Sequence, residues 1–404
     1  MTEFPAVRFL DRSTPPHIFT LVMLSGISAL TMSIFLPSLN HMAEFFGVEY
    51  AVMQLAVSGY LLATAILQVV IGPVSDRFGR RPVVIGALVL FVVATLGCLV
   101  APTAGLFLVF RMMQAAVAVG IVLSRAIVRD MVPQDQAASM IGYVTMGMAL
   151  IPMVGPMIGG ALDEVFGWRA NFVFLAVAGV ATLALVVADQ GETIAGRGLG
   201  FAAQLRGYPE LLTSPRFWGY AVCAALGSGA FFALLGGSSF VAGEVFHLSP
   251  FWTGLALGSP AVGYAAGNYI SGRFVTGTGV NRMALMGTLV ASAGLGLSLV
   301  LSIAGVMHPL VFFGFCVFLG LGNGMMLPAA TAGLLSVRPQ LAGTASGLGG
   351  AIMIGGGAAM AALAGALLTA ETGAWPLQAM MFVSSALSVA AILSVIWRAR
   401  RIGA

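Results

Sequence analysis

The sequence predicts an all-α membrane protein whose twelve transmembrane helices form two similar six-helix bundles. Of its 404 residues 59% are hydrophobic and only 8% are charged, whereas a soluble domain carries about 25% charged residues. Apolar runs of about 20 residues, enough to cross the hydrocarbon core, recur along the chain. Short motifs of the first half return about 200 residues later in the second half. Together these observations favour a duplicated bundle of membrane-spanning helices.

The apolar runs define twelve predicted spans, which we number in chain order. Those of the first half cover residues 18–40, 51–72, 83–101, 105–128, 137–161 and 169–188, and those of the second cover 216–241, 251–272, 283–305, 309–335, 341–368 and 375–397. The predicted organisation is therefore a six-helix bundle at 1–188, a cytoplasmic linker at 189–215 and a second bundle at 216–404. The first run is longer than a signal-peptide core, so we expect an uncleaved first span.

The arginines predict the orientation of the spans. All 18 basic residues are arginine, and 16 of them fall on the side of the membrane that holds the N-terminus in this assignment. Arg169 lies on the other side, and Arg111 lies within span 4. Because cytoplasmic loops carry the excess of basic residues, we expect both termini to be cytoplasmic. The net charge of +4 is then explained by arginines that orient the spans in the membrane. We therefore expect no nucleic-acid partner.

The repeated motifs predict how the halves are related. Gly167-Trp168 before span 6 corresponds to Gly373-Ala374-Trp375 before span 12, and Arg81 to Gly86 corresponds to Arg282 to Gly287. An offset near half the chain length indicates a six-helix unit duplicated in parallel topology. Substrate sites in such proteins lie between the repeats, near the middle of the membrane.

The loop between spans 2 and 3 carries the motif Gly72-Pro-Val-Ser-Asp-Arg-Phe-Gly-Arg-Arg-Pro82. We expect its glycines, Gly72 and Gly79, to allow a tight turn, and Pro82 suits the first turn of span 3. Asp76 can cap a helix or pair with an arginine. Arg77 and Arg80 complete the set of conformational residues predicted here, although arginines in this loop could simply anchor the cytoplasmic face.

Span 4 contains Arg111 and Gln114, followed by Arg125, Arg129 and Asp130 near its cytoplasmic end. At 100° per residue, one helix face carries Arg111, Ala118, Arg125 and Arg129, and we expect that face to line a cavity. An unpaired guanidinium in lipid is costly. A buried Arg111 would bind a carboxylate bidentately, unless it reaches the interface by snorkelling.

Span 5 contains Pro152, Gly155, Pro156 and Gly159 in the segment Ala149-Leu-Ile-Pro-Met-Val-Gly-Pro-Met-Ile-Gly-Gly160. Pro156 removes a backbone donor and bends the helix, while the glycines permit close packing. We expect a pliant gate near the outer end of this helix, although a packing helix would have the same composition.

These motifs resemble those of a known transporter family. The Gly72–Pro82 loop resembles the signature loop of the major facilitator superfamily, and span 5 resembles its antiporter motif. Gln54, Tyr60 and the segment Arg-Ala-Ile-Val-Arg-Asp from Arg125 to Asp130 look like the bicyclomycin-resistance and chloramphenicol/florfenicol exporter branch. The resemblance implies the major facilitator fold and proton-coupled export of drug-like or small metabolite solutes by alternating access.

One residue departs from this resemblance. The branch leads us to expect an aspartate in span 1, but the chain reads Ser33-Ile-Phe-Leu-Pro37. All 14 acidic residues fall in predicted loops or at helix ends. A proton-coupled carrier needs a buried group that changes charge on titration. Coupling through Asp76 or Asp130, or no proton coupling at all, therefore stays open.

Candidate cavity residues are polar or aromatic positions inside the spans. They are Ser25, Ser28, Ser33, Gln54, Tyr60, Arg111, Gln114, Phe231, Phe232, Tyr264, Asn268 and Asn323. A single serine among them is more often a helix-packing residue than a ligand.

The sequence is compatible with three functions. We expect a monomeric exporter of the bacterial inner membrane, with a small molecule and protons as partners and lipid around it. The alternative is a carrier or uniporter for a small organic anion or zwitterion without proton coupling. A receptor or an enzyme is the third; against an enzyme, we find no nucleophile–base pair, metal-ligand cluster or phosphate loop, and expect no cofactor or metal.

Overall fold

The computed structural model describes residues 7–132, 140, 144, 151–194, 208–338, 341–369 and 371–401, and this part of the chain folds into helices without a β-strand. The predicted fold class is confirmed: the protein is an all-α membrane protein built from two six-helix bundles. Most of span 5 before Ile151 and residues 195–207 of the predicted linker lie outside the described residues. We keep the span numbers used above.

In the first half, span 1 runs on through a 3₁₀ turn, and span 4 is interrupted by one. The helices are Ile18–Ser33 and Leu39–Phe46 for span 1, Tyr50–Met53 and Leu55–Phe78 for span 2, Arg80–Val100 for span 3, Ala104–Met113 and Val119–Met131 for span 4, Ile151–Phe166 for span 5, and Arg169–Asp189 for span 6. For spans 1, 2, 3 and 6 the predicted centres lie within the helices and the differences lie at the ends, while the predicted centre of span 4 falls in its 3₁₀ turn. The predicted centre of span 5 lies outside the described residues.

In the second half, a short helix, Tyr208–Leu212, precedes span 7. The spans are Pro215–Phe240 for span 7, Pro250–Leu257 and Ser259–Thr278 for span 8, Val280–Ile303 for span 9, Cys316–Leu335 for span 10, Ala342–Leu367 for span 11, and Trp375–Arg401 for span 12. In the described residues, ten helices are long and apolar enough to cross a membrane. Span 8 is divided at Gly258, and span 5 is described only from Ile151.

The turns at corresponding places in the two halves use glycine in the left-handed region. Gly79 between spans 2 and 3 has φ +95°, and Gly279 between spans 8 and 9 has φ +83°. Gly167 before span 6 and Gly373 before span 12 have φ +79° and +63°. A side chain with a Cβ rarely adopts these angles. The duplication read from the sequence therefore reappears as matched backbone conformations.

The tight turn expected at Gly72 is wrong. The helix of span 2 continues through Gly72 and Pro73 as far as Phe78, and the turn is confined to Gly79. Pro73 sits within the helix. The Gly72–Pro82 motif is therefore mostly the cytoplasm-proximal end of a helix in the predicted orientation, and Pro82 lies in the first turn of span 3 as predicted.

Close packing between spans 8 and 10 shows how glycine holds the second half together. A Cβ on Gly263 would overlap the carbonyl oxygen of Val317, and a Cβ on Gly320 would overlap that of Pro260. Helices in lipid associate through such contacts because apolar side chains gain little by leaving the hydrocarbon. The glycine content of the chain, 53 residues, thus serves helix contacts as well as turns.

Candidate functional site

A cavity of about 570 Å³ lies between the two halves. Spans 1, 2 and 4 and the first residue of span 3, Arg80, line it on one side, and spans 7, 8, 10 and 11 line it on the other. The lining extends from Ser28 and Met32 in span 1 to Asp76, Arg80 and Asp130 beside the Gly79 turn. We call the end of the molecule with this turn the loop end, and the opposite end, which holds the connection between spans 1 and 2, the far end.

The structure brings six of the predicted cavity residues together around this space: Ser28, Tyr60, Phe231, Phe232, Tyr264 and Asn323. Four of these six residues are aromatic. Ser28 contributes little polarity, since its hydroxyl already donates to the carbonyl oxygen of Val117 at 2.5 Å. The cavity is therefore an apolar space with a few polar groups, as is usual for sites that bind small organic molecules.

Arg111 and Gln114 do not line the cavity, which corrects the prediction made for them. Both are fully buried in the first half. The Arg111 guanidinium donates to the carbonyl oxygens of Ala56 (3.1 Å) and Thr31 (2.9 Å) and to Gln114 Oε1 (2.7 Å). Its carbon lies 4.2 Å and 4.1 Å from the ring centroids of Phe35 and Tyr60. Arg111 is thus a satisfied cation that joins spans 1, 2 and 4.

The break in span 4 explains the error. Residues Gln114–Ala118 form a 3₁₀ turn of five residues, and each residue there advances about 120° instead of about 100°. The five residues add roughly 100° of rotation beyond a continuous α-helix. Arg111 is therefore turned away from Ala118, Arg125 and Arg129, and these three do line the cavity.

Three further predicted cavity residues also lie elsewhere. Ser33 is 1% exposed, donates to the carbonyl of Ala29 at 3.2 Å and packs against Gly155. Gln54 lies at the contact between the halves, and Asn268 donates to the carbonyl of Tyr264 in its own helix at 2.9 Å. Polar residues in apolar helices are as easily used for packing as for binding.

Ser25 has the same packing role, because its hydroxyl donates to Ser124 Oγ at 2.8 Å.

At the loop end, Arg80 holds two carboxylates. Its Nη1 lies 2.6 Å from Asp76 Oδ1 and its Nε lies 3.1 Å from Asp130 Oδ2. Arg80 also donates to the hydroxyl of Ser75. The arrangement ties the end of span 2 to the end of span 4, within the first half. Pairing of Asp76 with an arginine, one of the two roles foreseen for it, is what the structure shows.

Other residues predicted to act in conformational change lie at different places in the first half. Arg77 is exposed, with its guanidinium carbon 5.3 Å from the ring centroid of Phe78. Gly159 packs on the backbone of Ile34 in span 1. Pro156 is buried within the span 5 helix. Pro152 belongs to the same helix, but its side chain lies outside the described residues.

Glu192, just after span 6, is a residue that the sequence reasoning missed. Its carboxylate accepts from the backbone amides of Arg80 (2.9 Å) and Arg81 (3.2 Å) at the start of span 3. A carboxylate at a helix N-terminus satisfies free amides and the helix dipole. The Arg81 Nε in turn donates to the carbonyl oxygen of Gln190 at 2.7 Å. No local motif marks Glu192, because its partners are more than 100 residues away.

At the far end, hydrogen bonds join the two halves directly. Asn40 Nδ2 donates to the carbonyl of Ser239 (3.1 Å), the Tyr50 hydroxyl to that of Gly236 (2.9 Å), and Gln54 Nε2 to that of Ala361 (2.6 Å).

Glu164 Oε2 extends this contact, because it accepts from Ser249 Oγ at 3.0 Å and from the amide of Phe251 at 3.2 Å. Among the described residues, every hydrogen bond between spans 1–6 and spans 7–12 lies at this end. The far end is therefore closed, while the cavity reaches the loop end.

Arg125 lies in the cavity wall, on the face of span 4 that was predicted to line a cavity. It is partly exposed in the cavity wall, one turn above Arg129. The sequence feature that indicated this position was the helical face shared by Arg125, Ala118 and Arg129. That face remains in the structure, although Arg111 no longer belongs to it.

Comparison with known proteins agrees with this architecture. The family model described as Major Facilitator Superfamily matches residues 21–362. A chloramphenicol resistance protein of Pseudomonas aeruginosa is 34% identical over 211 residues, 51% of this chain and 49% of that protein. A bicyclomycin resistance protein homolog of Haemophilus influenzae is 27% identical and covers 87% of this chain and 89% of its own. These relatives support the exporter branch named above.

A solved structure of similar fold is the bacterial homolog to the human lysosomal transporter Spinster, in an inward-facing and unoccupied conformation. It superposes with a TM-score of 0.68 over 94% of each chain, at 16% identity. At that identity the likeness concerns the fold alone.

Proposed function

Since this chain belongs to the Major Facilitator Superfamily, we propose that it is an exporter that moves small drug-like or metabolite molecules out of the cell by alternating access. The chain is a multi-pass membrane transporter of a small molecule. The exported class, the direction and the mechanism are what we propose here. The observation that carries the proposal is a cavity between the halves that reaches the loop end, while hydrogen bonds close the far end.

The cavity supports a drug-sized substrate. Its volume of about 570 Å³ falls in the range typical of small-molecule sites, roughly 300–1,000 Å³. Phe231, Phe232 and Tyr264 offer aromatic surface to a planar apolar body, and Asn323 offers an amide. Two relatives are named for resistance to chloramphenicol and bicyclomycin, which is consistent with small organic antibiotics among the substrates.

The arginine distribution supports loading from the cytoplasm. The loop end bears Arg77, Arg80 and Arg81, and the basic excess belongs on the cytoplasmic side. We therefore propose that the loop end and both termini face the cytoplasm of a bacterial inner membrane. The proposed division into bundles at 1–188 and 216–404, joined by a cytoplasmic linker at 189–215, goes with this orientation.

The mechanism then follows from the two ends. In the observed state a molecule enters from the loop end, and release requires the far-end contacts of Asn40, Tyr50 and Gln54 to part. Each of these bonds joins a side chain of the first half to a backbone carbonyl of the second half. Backbone acceptors let the contacts break and reform without exchanging charged partners. Closure at the loop end would complete the cycle.

Proton coupling is the less supported part of the proposal. Ser33 packs against Gly155 where a titrating carboxylate was expected. The carboxylates in the cavity wall, Asp76 and Asp130, are both held by Arg80. A carrier without proton coupling is therefore our second candidate, favoured by the absence of a free carboxylate among the described residues lining the cavity.

Everted membrane vesicles test the proposal. Vesicles that contain the protein should accumulate radiolabelled chloramphenicol or bicyclomycin above the level of vesicles without it. Dissipating the pH gradient with nigericin should abolish accumulation if protons drive it, and leave exchange of labelled for unlabelled compound if they do not. Absence of both accumulation and exchange, over a panel that also includes small aromatic acids, contradicts export by this chain.

A further inference from the structure

The cavity holds more positive than negative charge. Among its lining residues are three arginines, Arg80, Arg125 and Arg129, and two acids, Asp76 and Asp130. Both carboxylates are engaged by Arg80 at 2.6 Å and 3.1 Å. Spans 7, 8, 10 and 11 contribute no charged side chain to the described lining. The group of Arg80 and its two carboxylates carries one net negative charge, so the positive excess of the lining comes from Arg125 and Arg129, which pair with neither carboxylate.

Arg125 is the better placed of these two to meet a substrate. It lies one turn deeper than Arg129, which is exposed at the loop end. The Arg129 Nε lies 3.5 Å from the carbonyl of Arg125, whereas the Arg125 guanidinium makes no hydrogen bond or ion pair with a described residue. Its N–H donors thus face the cavity without a protein acceptor in that part of the chain.

Arg111 provides the contrast within the same span. Its guanidinium donates to two backbone carbonyls and Gln114, and two aromatic rings cover its faces. An arginine placed for structure is satisfied by such partners. Arg125 makes none of these contacts with the described residues, so its donors are available to a ligand. A guanidinium in a partly desolvated cavity favours a carboxylate, because two parallel hydrogen bonds match the geometry of that anion.

The rest of the cavity wall defines the remainder of the ligand. Tyr264 and the adjacent phenylalanines Phe231 and Phe232, whose ring centroids lie 5.9 Å apart, come from the second half. Asn323 adds one amide. A ligand held by both halves would therefore place an anion on the first half and an aromatic or other apolar body against the second.

We propose that Arg125 is a substrate-binding residue and that the cavity selects small amphipathic organic monoanions, with the carboxylate on Arg125 and the apolar body against Phe231, Phe232 and Tyr264. This proposal rests on the proposed transport function and names its substrate class. The substrate carboxylate would accept the hydrogen bonds that no described residue accepts from Arg125. Its negative charge would also bring the net charge of the occupied cavity closer to zero than that of the empty cavity.

Matched ligands of one shape test the site. Binding of 1-naphthoate and of its neutral analogue 1-naphthamide to the purified full-length protein is measured by isothermal titration calorimetry. The wild type should bind 1-naphthoate at least about tenfold more tightly, as expected for a charge-assisted contact. Arg125→Gln should remove the preference, and Arg125→Lys should retain part of it. Arg273→Gln, an exposed arginine of span 8 outside the cavity wall, is the control and should retain it all.

Several outcomes overturn the proposal: equal affinity for the two ligands in the wild type, no binding of 1-naphthoate, or a preference that survives Arg125→Gln. Thermal melting of each unliganded variant verifies folding, and the Arg125→Lys variant decides the matter if Arg125→Gln does not fold. Export in vesicles is scored separately. Transport of a neutral drug without anion preference contradicts only the Arg125 site. An Arg125-dependent preference without transport contradicts only the transport function.

Discussion

Gly254 of span 8 and Pro156 of span 5 are in backbone contact across the two halves, because a Cβ on Gly254 would overlap the carbonyl oxygen of Pro156. Gly160 makes the reciprocal contact with Pro250. Gly160 of span 5 thus serves the closed far end, whereas Gly155 and Gly159 pack against span 1. The contact can exist only with glycine at these positions, which makes the far-end closure sensitive to a single methyl group.

Gly254→Ala should therefore favour opening of the far end. Overpacking a tight contact costs about 1–3 kcal/mol, which shifts a two-state equilibrium by about one to two orders of magnitude. Spin labels at the exposed positions of Glu44 and His247, one in each half, should report a longer distance population. Gly272→Ala is the matched control, since a Cβ there meets nothing within 4 Å. Identical distance distributions in the two variants contradict the role of Gly254.

Arg111→Ala should lower the stability of the folded protein. It should not act on substrate binding alone. Removing the guanidinium leaves Gln114 Oε1 and two backbone carbonyls without their donor. Leaving a buried acceptor unsatisfied costs about 1–3 kcal/mol for each group. The melting temperature of the purified protein should fall clearly below that of Arg273→Ala. A variant that melts like the wild type but no longer binds substrate would restore the role predicted from the sequence.

Glu192→Ala should expose the start of span 3. Without its carboxylate, the amides of Arg80 and Arg81 lose their acceptor, and a hydrogen bond to a charged group is worth about 1.5–3 kcal/mol. Hydrogen exchange followed by mass spectrometry should be about tenfold faster or more at these amides. Glu371→Ala, at an exposed acidic residue, should leave them unchanged. Equal protection in both variants would exclude the capping role.

Ser33→Asp should not create the coupling site expected from the family resemblance. Ser33 Oγ lies 2.9 Å from the point that a Cβ on Gly155 would occupy, so a carboxylate there has little room. An unpaired buried charge is strongly unfavourable. We expect less inserted protein and a lower melting temperature than for Ser33→Ala, which removes only a bond to the carbonyl of Ala29. Stable Ser33→Asp protein with accumulation that depends on a pH gradient would contradict this view.

Much of the fold was predictable because its signals are local or periodic. Long apolar runs place the spans, and the motif pairs at matching offsets predict the duplication that Gly79 and Gly279 display as matched turns. The pairing of Asp76 with an arginine was also within reach, because Arg80 lies only four residues further along the chain, just beyond the Gly79 turn.

The candidate site was predicted only in part, since it depends on how each helix is rotated. Aromatic residues such as Phe231 and Tyr264 were placed in the cavity correctly. Arg111 was not, because one 3₁₀ turn changes the face on which it lies. Gln54 lies at the far-end closure, where its partner is Ala361, 307 residues away. The local sequence around Arg111 and Gln54 does not indicate either of these positions.

By itself the sequence determined the membrane class, the number of spans, the repeat and the family resemblance, because hydropathy and short motifs act over neighbouring residues. Only the tertiary structure decided that the far end is closed, that Glu192 caps span 3, and that Arg125 and not Arg111 is available in the cavity. The physical reason is the same in each case. A polar side chain in an apolar protein is defined by its partners, and those partners are supplied by helices that are distant in the chain.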